Sequence, residues 1–196
     1  MIISKYDNYE LINGNLYLSH EDFYVSRNVR TFLDSLKHEV ESKYVIKSDE
    51  EAIILNCHYV QLCRPTSFIF STNKSFFCDY GGKVYEVIPQ FIVEVKCSNN
   101  AHVIRKKFQI YKECKVPEIW IIDIRDVNNA TVDIFLHKRD YCGKRYSLRG
   151  DREIFSLTIR DLYIDTVAIL DKYSRFCSTY IEDYDGWEIW SNDKIL

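Results

Sequence analysis

The chain has 196 residues, of which 46% are hydrophobic and 28% are charged, and its formal net charge at pH 7 is −3. This composition is typical of a soluble globular protein with room for a real core, and the acidic balance argues against a strongly basic nucleic-acid coat. It does not exclude a nuclease, because acidic metal ligands offset the lysines and arginines that contact phosphate.

No apolar run reaches the length of a membrane span, and the first seven residues lack the apolar core and the cleavage site of a signal peptide. We therefore expect a cytoplasmic protein that has no membrane partner. The seven cysteines are an odd number, and they include no Cys-x-x-Cys pair and no nearby histidine at zinc-finger spacing. This pattern predicts reduced, mostly buried thiols and not a zinc site or a disulfide frame.

The first predicted element is a β-hairpin. Strands over residues 9 to 12 and 16 to 18 flank Asn13-Gly14-Asn15, and Asn-Gly is the strongest short hairpin signal. Glu10 lies on the first of these strands. Taken alone, the residues favour a solvent-facing side chain for Glu10.

A long amphipathic helix is predicted next, ending at about residue 41. Ser19 is a good N-cap, acidic residues occupy the first turn, and apolar residues follow at helical spacing, so we interpret this helix as scaffold. Six strands are then predicted, over residues 44–46, 52–55, 59–62, 67–70, 75–78 and 83–87. All three prolines of the chain stand just before predicted strands, where the missing N–H donor does no harm.

Residues 91 to 96 have the β-branched and aromatic character of a buried strand, and they carry Glu94 and Lys96 two residues apart. A strand has a period of two, so both side chains point to the same face. An unpaired charge inside a sheet is expensive, so these charges are either used in a site or paired with each other. Pairing is the simpler interpretation.

A helix is predicted directly after this strand. Residues 98 to 100 are good N-cap residues, and an inward stripe follows them. The stripe consists of Val103, Ile104, Lys107, Phe108 and Tyr111. Because Lys107 lies within the stripe, we expect it to be directed towards the strand that carries Glu94 and Lys96; a lysine can also bury its stem while its ammonium reaches water.

A strand over residues 119–124 completes a strand–helix–strand crossover, and another strand over residues 131–136 follows it. Together with the hairpins, the crossover indicates a mixed sheet. We predict one domain over residues 1–170. Residues 171–196 are too aromatic for a disordered tail, so we expect this extension to pack on the domain or on a partner chain.

Glu94-Val95-Lys96 resembles the last part of the PD-(D/E)xK nuclease motif, and the surrounding sequence resembles the Uma-two family of restriction-endonuclease-like proteins. The resemblance runs from about residue 6 to about residue 170 in the family's order. The matching segments are Tyr9 to Gly14, Pro65, Pro89 to Ser98, Lys107 to Tyr111 and Val116 to Asp123. The resemblance implies an α/β fold with a restriction-endonuclease-like core, in which a central mixed β-sheet is flanked by α-helices.

The resemblance also implies an activity, the hydrolysis of DNA phosphodiester bonds with Mg²⁺ or Mn²⁺. Glu94 would be the central metal ligand, and Glu10 and the Val95 carbonyl would add further oxygens. Lys96 would be the catalytic lysine, and Lys107 a second cation near the scissile phosphate. The implied partner is DNA, and a homodimer is compatible with this role because cutting both strands takes two sites.

The chain departs from the family pattern at two positions. Thr66 and Gln90 each follow a proline where the pattern, or many of its members, has aspartate. A hydroxyl or an amide brings no charge to Mg²⁺, so both residues weaken the implied metal site. Asp79 is the nearest substitute ligand and Glu86 a weaker one, but Asp79 also belongs to an ordinary turn sequence.

Three functions therefore stay open. The leading hypothesis is a Mg²⁺- or Mn²⁺-dependent DNA endonuclease of restriction-endonuclease-like fold. The second is a catalytically impaired module of the same fold, which binds nucleic acid or protein and has lost its chemistry together with the motif aspartate. The third is an α/β protein unrelated to nucleic acid, in which Glu94 and Lys96 form a structural ion pair.

Overall fold

A computed structural model of the chain describes residues 9–18, 43–48, 51–73, 77–79, 83–96, 100–150, 153–160 and 162–166. Within these ranges the chain forms fourteen β-strands, one α-helix and two short 3-10 turns. The predicted helix that ends near residue 41 and the aromatic extension over residues 171–196 lie outside the described residues. No helix in the described part of the chain is long and apolar enough to cross a membrane.

The strands follow the sequence pattern closely, and each of the three prolines comes within two residues of a strand start, as expected. In chain order the elements are β1 (Tyr9–Ile12), β2 (Asn15–Leu18), β3 (Tyr44–Ser48), β4 (Ala52–Asn56), β5 (Val60–Cys63), β6 (Ser67–Ser71), β7 (Phe77–Asp79), β8 (Val84–Glu86), β9 (Phe91–Lys96), α1 (Ala101–Glu113), β10 (Glu118–Asp123), β11 (Thr131–Leu136), β12 (Lys144–Ser147), β13 (Glu153–Phe155) and β14 (Tyr163–Asp165).

The strands form two six-stranded sheets and one small pair. The first sheet has the order β2-β1-β5-β4-β8-β7, the second has the order β12-β11-β10-β9-β6-β3, and β13 pairs with β14. Each large sheet contains one parallel pair, β4 with β8 in the first and β9 with β10 in the second, and its other pairs are antiparallel. The β-structure is therefore mixed, as predicted, but it is divided between two sheets.

The predicted crossover is formed by β9, α1 and β10, which brings two parallel strands side by side with Glu94 opposite Ile121. Asn100 is the N-cap of α1, yet its side chain does not cap the helix. Its Nδ2 atom instead donates to the Val95 carbonyl at 3.0 Å, which ties the start of the helix to the end of β9. The C-cap of the helix is Cys114, and the next residue, Lys115, has a φ of +57°.

Two apolar clusters lie on opposite faces of the second sheet, as the period-two alternation of β9 requires. One cluster joins both large sheets to α1, and it includes the buried side chains of Ile12, Phe68 and Ile110. The other cluster contains Phe91 and Trp120, whose rings meet edge-on with centroids 5.1 Å apart. Glu94 belongs to the face that is covered by α1.

Glu118 anchors the segment after β13 to the start of β10. Its carboxylate is completely buried and accepts hydrogen bonds from the Trp120 indole at 2.6 Å, the Ser156 hydroxyl at 2.7 Å and the Thr158 hydroxyl at 2.6 Å. The backbone N–H groups of Leu157 and Thr158 donate to it as well. Within the described part of the chain, this set of donors satisfies the buried carboxylate without a cation.

A disulfide joins Cys57, which follows β4, to Cys114 at the end of α1, with Cα atoms 5.4 Å apart. The prediction of reduced thiols is therefore wrong for this pair. The two residues are 57 positions apart, so no short spacing rule could have linked them. Among the described residues, Cys63 is a buried free thiol and Cys142 an exposed one.

Candidate active site

Three side chains from distant parts of the chain meet in one buried group, which we call the carboxylate cluster: Glu10 on β1, Glu94 on β9 and Lys107 on α1. The Lys107 ammonium lies 2.9 Å from Oε1 of Glu10 and 2.7 Å from Oε1 of Glu94. It also donates to the Arg64 carbonyl at 2.8 Å. The three side chains are only 4–5% exposed. Water therefore contributes little, and each charge is compensated mainly by the others.

Two further groups hold the carboxylates in place. The Tyr111 hydroxyl donates to Oε1 of Glu94 at 2.6 Å, and the Arg64 backbone N–H donates to Oε1 of Glu10 at 2.7 Å. Tyr111 lies one helical turn after Lys107, so both side chains leave the same face of α1. The inward stripe predicted this face, but it did not predict that the tyrosine would bind Glu94.

Burial and the two carboxylates set the protonation of the cluster. Burial raises the pKa of the Glu94 carboxyl, and the Lys107 ammonium opposes this rise. Burial works to lower the pKa of Lys107, but Glu10 and Glu94 outweigh it and raise that pKa above its ordinary value. Burial also raises the pKa of the Tyr111 phenol and of the nearby Cys63 thiol. At neutral pH the carboxylate cluster thus contains a charged lysine, and the Tyr111 phenol and the Cys63 thiol next to it are neutral.

The contacts of both carboxylates within the described part of the chain go to their Oε1 atoms. Among the described residues, the fully buried side-chain atoms that lack a hydrogen-bond partner do not include either Oε2 atom. The second oxygens of Glu10 and Glu94 are therefore the atoms that the carboxylate cluster can offer to a ligand.

Lys96, the lysine of the Glu-x-Lys motif, has a different partner. Its ammonium lies 3.0 Å from Oδ2 of Asp123, which also accepts from the Arg125 guanidinium at 2.8 Å. The interpretation of Glu94 and Lys96 as a mutual ion pair is wrong, because Glu94 pairs with Lys107. The physical reason is the register of the parallel pair, which places Asp123 directly opposite Lys96.

Thr66 occupies the position where the resemblance calls for aspartate, next to Ser67, whose register partner is Val93. It therefore stands beside Glu94, as the motif requires. Its side chain is buried, and its Oγ1 atom accepts the Val95 backbone N–H at 3.0 Å. A neutral hydroxyl thus takes the place of a carboxylate next to the carboxylate cluster.

The other sequence candidates lie apart from the carboxylate cluster. Asp79 is on β7, four strand spacings from β1 in the first sheet, which is about 19 Å. The role of Asp79 as a substitute ligand stays a prediction, and Glu86 is on the adjacent strand β8 with an exposed side chain. Gln90 precedes β9, four residues and about 13 Å along the strand from Glu94, so its missing charge does not affect the carboxylate cluster.

The oxygen donors near the carboxylate cluster are of the type that Mg²⁺ and Mn²⁺ prefer: two carboxylates and the Val95 carbonyl. In kind, these groups fit a divalent cation. In number they fall short of the motif, since within the described ranges no group of three or more His, Cys, Asp or Glu side chains could hold a metal ion. Thr66 accounts for the missing carboxylate.

Comparison with known proteins gives a family and a fold. Residues 4–167 match the profile of the Uma2 family, described as putative restriction endonucleases. A crystal structure from Anabaena variabilis, described as a putative nuclease belonging to DUF820, is similar in fold with a TM-score of 0.62 and 10% sequence identity. The likeness covers 84% of this chain and 90% of that one. No curated protein matches the chain.

The structural likeness confirms the predicted fold class, a restriction-endonuclease-like core with mixed β-structure. The flanking by helices is sparser than expected, because α1 is the single α-helix among the described residues.

Proposed function

Since the chain belongs to the Uma2 family of putative restriction endonucleases, we propose that it is a metal-dependent DNA endonuclease whose active site is the carboxylate cluster. The observation that supports this most strongly is the meeting of Glu10, Glu94 and Lys107, which come from a hairpin, a central strand and a helix. Function has to be argued from such a site and not from the fold, because one fold carries many activities.

Glu94 and Glu10 would hold Mg²⁺ or Mn²⁺ through their second oxygens, with the Val95 carbonyl as an additional donor. Such an ion supplies Lewis acidity toward the phosphate oxygens. Tyr111 keeps the Glu94 carboxylate in a fixed orientation through its 2.6 Å hydrogen bond. A preoriented carboxylate costs little reorganisation when a ligand binds.

Lys107 is the cation best placed to stabilise negative charge on a phosphate at the carboxylate cluster, because it already lies between both carboxylates. Lys96 would contribute from the rim of the site, as the motif lysine, once a DNA phosphate competes with Asp123 for its ammonium. We further propose a cytoplasmic location and a homodimer, in which two such sites would cut the two strands of DNA.

The test is cleavage of supercoiled plasmid with Mg²⁺ or Mn²⁺ by the wild type, Glu94→Gln and Lys96→Met. Glu94→Gln removes the charge while keeping the shape of the side chain, so nicking should fall by at least about 100-fold. Lys96→Met should reduce nicking less, since Lys96 lies outside the carboxylate cluster. Equal nicking by wild type and Glu94→Gln would point to a contaminating nuclease and refute the proposed site.

A second candidate function is a nuclease-fold module that binds DNA without cutting it. Two observations favour it: Thr66 brings no charge to the metal position, and Lys107 already neutralises part of the charge of both carboxylates. This function requires a silent wild type in the plasmid assay, no heat of Mn²⁺ binding in calorimetry, and retention of DNA binding in EDTA. Metal-dependent nicking by the wild type would exclude it.

A further inference from the structure

An aromatic ring lies directly beside the carboxylate cluster. Tyr17 on β2 is the register partner of Glu10 on β1. Cross-strand partners project from the same face of a sheet, with Cβ atoms about 4.5–5.5 Å apart. The Tyr17 ring packs partly against the core that joins both sheets to α1, and the rest of the side chain remains accessible.

A cationic side chain and an aromatic side chain of α1 lie beside this ring. The Lys106 ammonium lies 4.8 Å from the Tyr17 ring centroid and also hydrogen-bonds the Tyr17 hydroxyl. The His102 ring centroid lies 6.3 Å from that of Tyr17, with the planes inclined by 60°. His102 and Lys106 are one helical turn apart, and both are exposed.

The helix α1 thus serves two neighbouring positions. Lys107 turns inward to the carboxylates, while the preceding residue, Lys106, turns outward to Tyr17. An accessible aromatic ring next to an exposed cation is the arrangement by which proteins hold unpaired nucleotides, since the ring stacks on a base and the cation contacts its phosphate. A base inside a duplex cannot offer its face in this way, because its neighbours already cover it.

We propose that Tyr17 stacks on an unpaired base adjacent to the scissile phosphate, with Lys106 contacting the phosphate of that nucleotide, so that the site selects single-stranded or locally unpaired DNA. This inference rests on the proposed function, because it takes the carboxylate cluster as the place where the phosphate lies. It adds that the DNA substrate is unpaired, which the carboxylate cluster by itself does not specify.

The test measures binding in EDTA, so it does not depend on catalysis or on a metal. A fluorescein-labelled single strand and the same sequence as a duplex are titrated at one low salt concentration, with fluorescence anisotropy as the readout. Tyr17→Leu should weaken binding of the single strand by about 5- to 140-fold, the range for loss of one stacked base. Tyr17→Phe keeps the ring and should stay within about 3-fold of the wild type.

Tyr59→Leu is the matched control, because Tyr59 is a tyrosine that is 74% exposed between β4 and β5, outside the β1–β2 hairpin that carries Tyr17. It should bind like the wild type, and thermal unfolding should show that all variants are folded. The inference is overturned if Tyr17→Leu binds the single strand as tightly as the wild type, if duplex binding weakens equally, or if the wild type binds no DNA strand. The plasmid assay decides the nuclease separately, so stacking can fail while cleavage stands.

Discussion

Lys107 is central to the stability of the carboxylate cluster and, under the proposed function, to its activity. Its ammonium contacts Glu10, Glu94 and the Arg64 carbonyl, and its side chain is only 5% exposed. Removal of one member of such a buried group leaves the remaining charges without compensation, which costs far more than the group as a whole contributes. The same residue is therefore expected to appear in both stability and activity measurements.

Replacement of Lys107 by methionine should lower the free energy of unfolding by about 3–5 kcal/mol, because Glu10 and Glu94 would stay buried without a cation. Urea denaturation at neutral pH measures this cost. Lys96→Met is the matched control, and it should cost less than about 2 kcal/mol because Asp123 keeps Arg125 as a partner. Equal costs for the two substitutions would contradict the special position of Lys107.

Asp123 gives the chain a contribution to stability that acid removes. Burial works to raise the pKa of Asp123, but hydrogen bonds from Arg125 and Lys96 outweigh it and hold the pKa at about 2, below its ordinary value of 3.8. A depressed pKa stabilises the folded state at pH values above the pKa of the unfolded chain. This contribution of about 2 kcal/mol is lost as the pH falls from about 4 through about 2.

The unfolding free energies of wild type and Asp123→Asn should therefore differ most at about pH 5 and converge toward about pH 2. Urea titrations across this range measure the difference. Glu113→Gln serves as the control, since this exposed side chain forms no ion pair with a described residue. A constant difference between wild type and Asp123→Asn would show that Lys96 and Arg125 do not stabilise the ionised carboxylate.

At the scale of elements, α1 carries most of what distinguishes this site. Its outward residue Lys106 contacts Tyr17, its inward residues Lys107 and Tyr111 hold the carboxylates, and the disulfide to Cys57 fixes its end. A rigid helix that is tied at one end places the ammonium and the hydroxyl more precisely than a loop would.

Loss of the disulfide should lower the free energy of unfolding by about 4 kcal/mol, the chain-entropy value for a bond that spans 57 residues. The double variant Cys57→Ala/Cys114→Ala measures this loss by thermal unfolding, and Cys142→Ala is the control because Cys142 is an exposed free thiol. A reductant should destabilise the wild type but not the double variant. If it affects neither, the two thiols are not bonded in solution, as a reducing cytoplasm would favour.

The elements around the site follow from sequence, whereas their partners do not. The Asn13-Gly14 hairpin, the alternation of β9 between two faces of its sheet and the inward stripe of α1 are local patterns, and the structure confirms all three. The pairing of Lys96 with Asp123 depends on the register of β9 against β10, which no single segment encodes. For the same reason, the burial of Glu10 beneath α1 was not predicted from the residues alone.

At the scale of the whole molecule, the two sheets and α1 bring together residues almost a hundred positions apart, such as Glu10 and Lys107. The fold class was predicted from the order of elements together with the resemblance, and the fold is confirmed at 10% identity. The division into two sheets was not predicted, because sheet membership depends on contacts between distant strands. The prediction that residues 171–196 pack on the domain or on a partner chain stays a prediction.

Restoration of the motif aspartate tests whether the whole scaffold still presents a metal position. Thr66→Asp places a third carboxylate beside Glu94, so without metal the melting temperature should fall through like-charge repulsion. Mn²⁺ should then raise the melting temperature in a concentration-dependent way, since a ligand that binds only the folded state stabilises it. Thr66→Asn is the matched control, with similar shape and no charge. An equal response of both variants to Mn²⁺ would refute a metal position at Thr66.

The buried Glu118 carboxylate limits how far the protein can be shortened for further work. A fragment that stops before Ser156 would retain β9, α1 and β10, and would look complete as a catalytic unit. It would nevertheless remove the segment that covers the Glu118 carboxylate and supplies all of its donors except the Trp120 indole. The loss falls on β10, the strand adjacent to the one that carries Glu94, so we expect useful fragments to extend at least through Thr158.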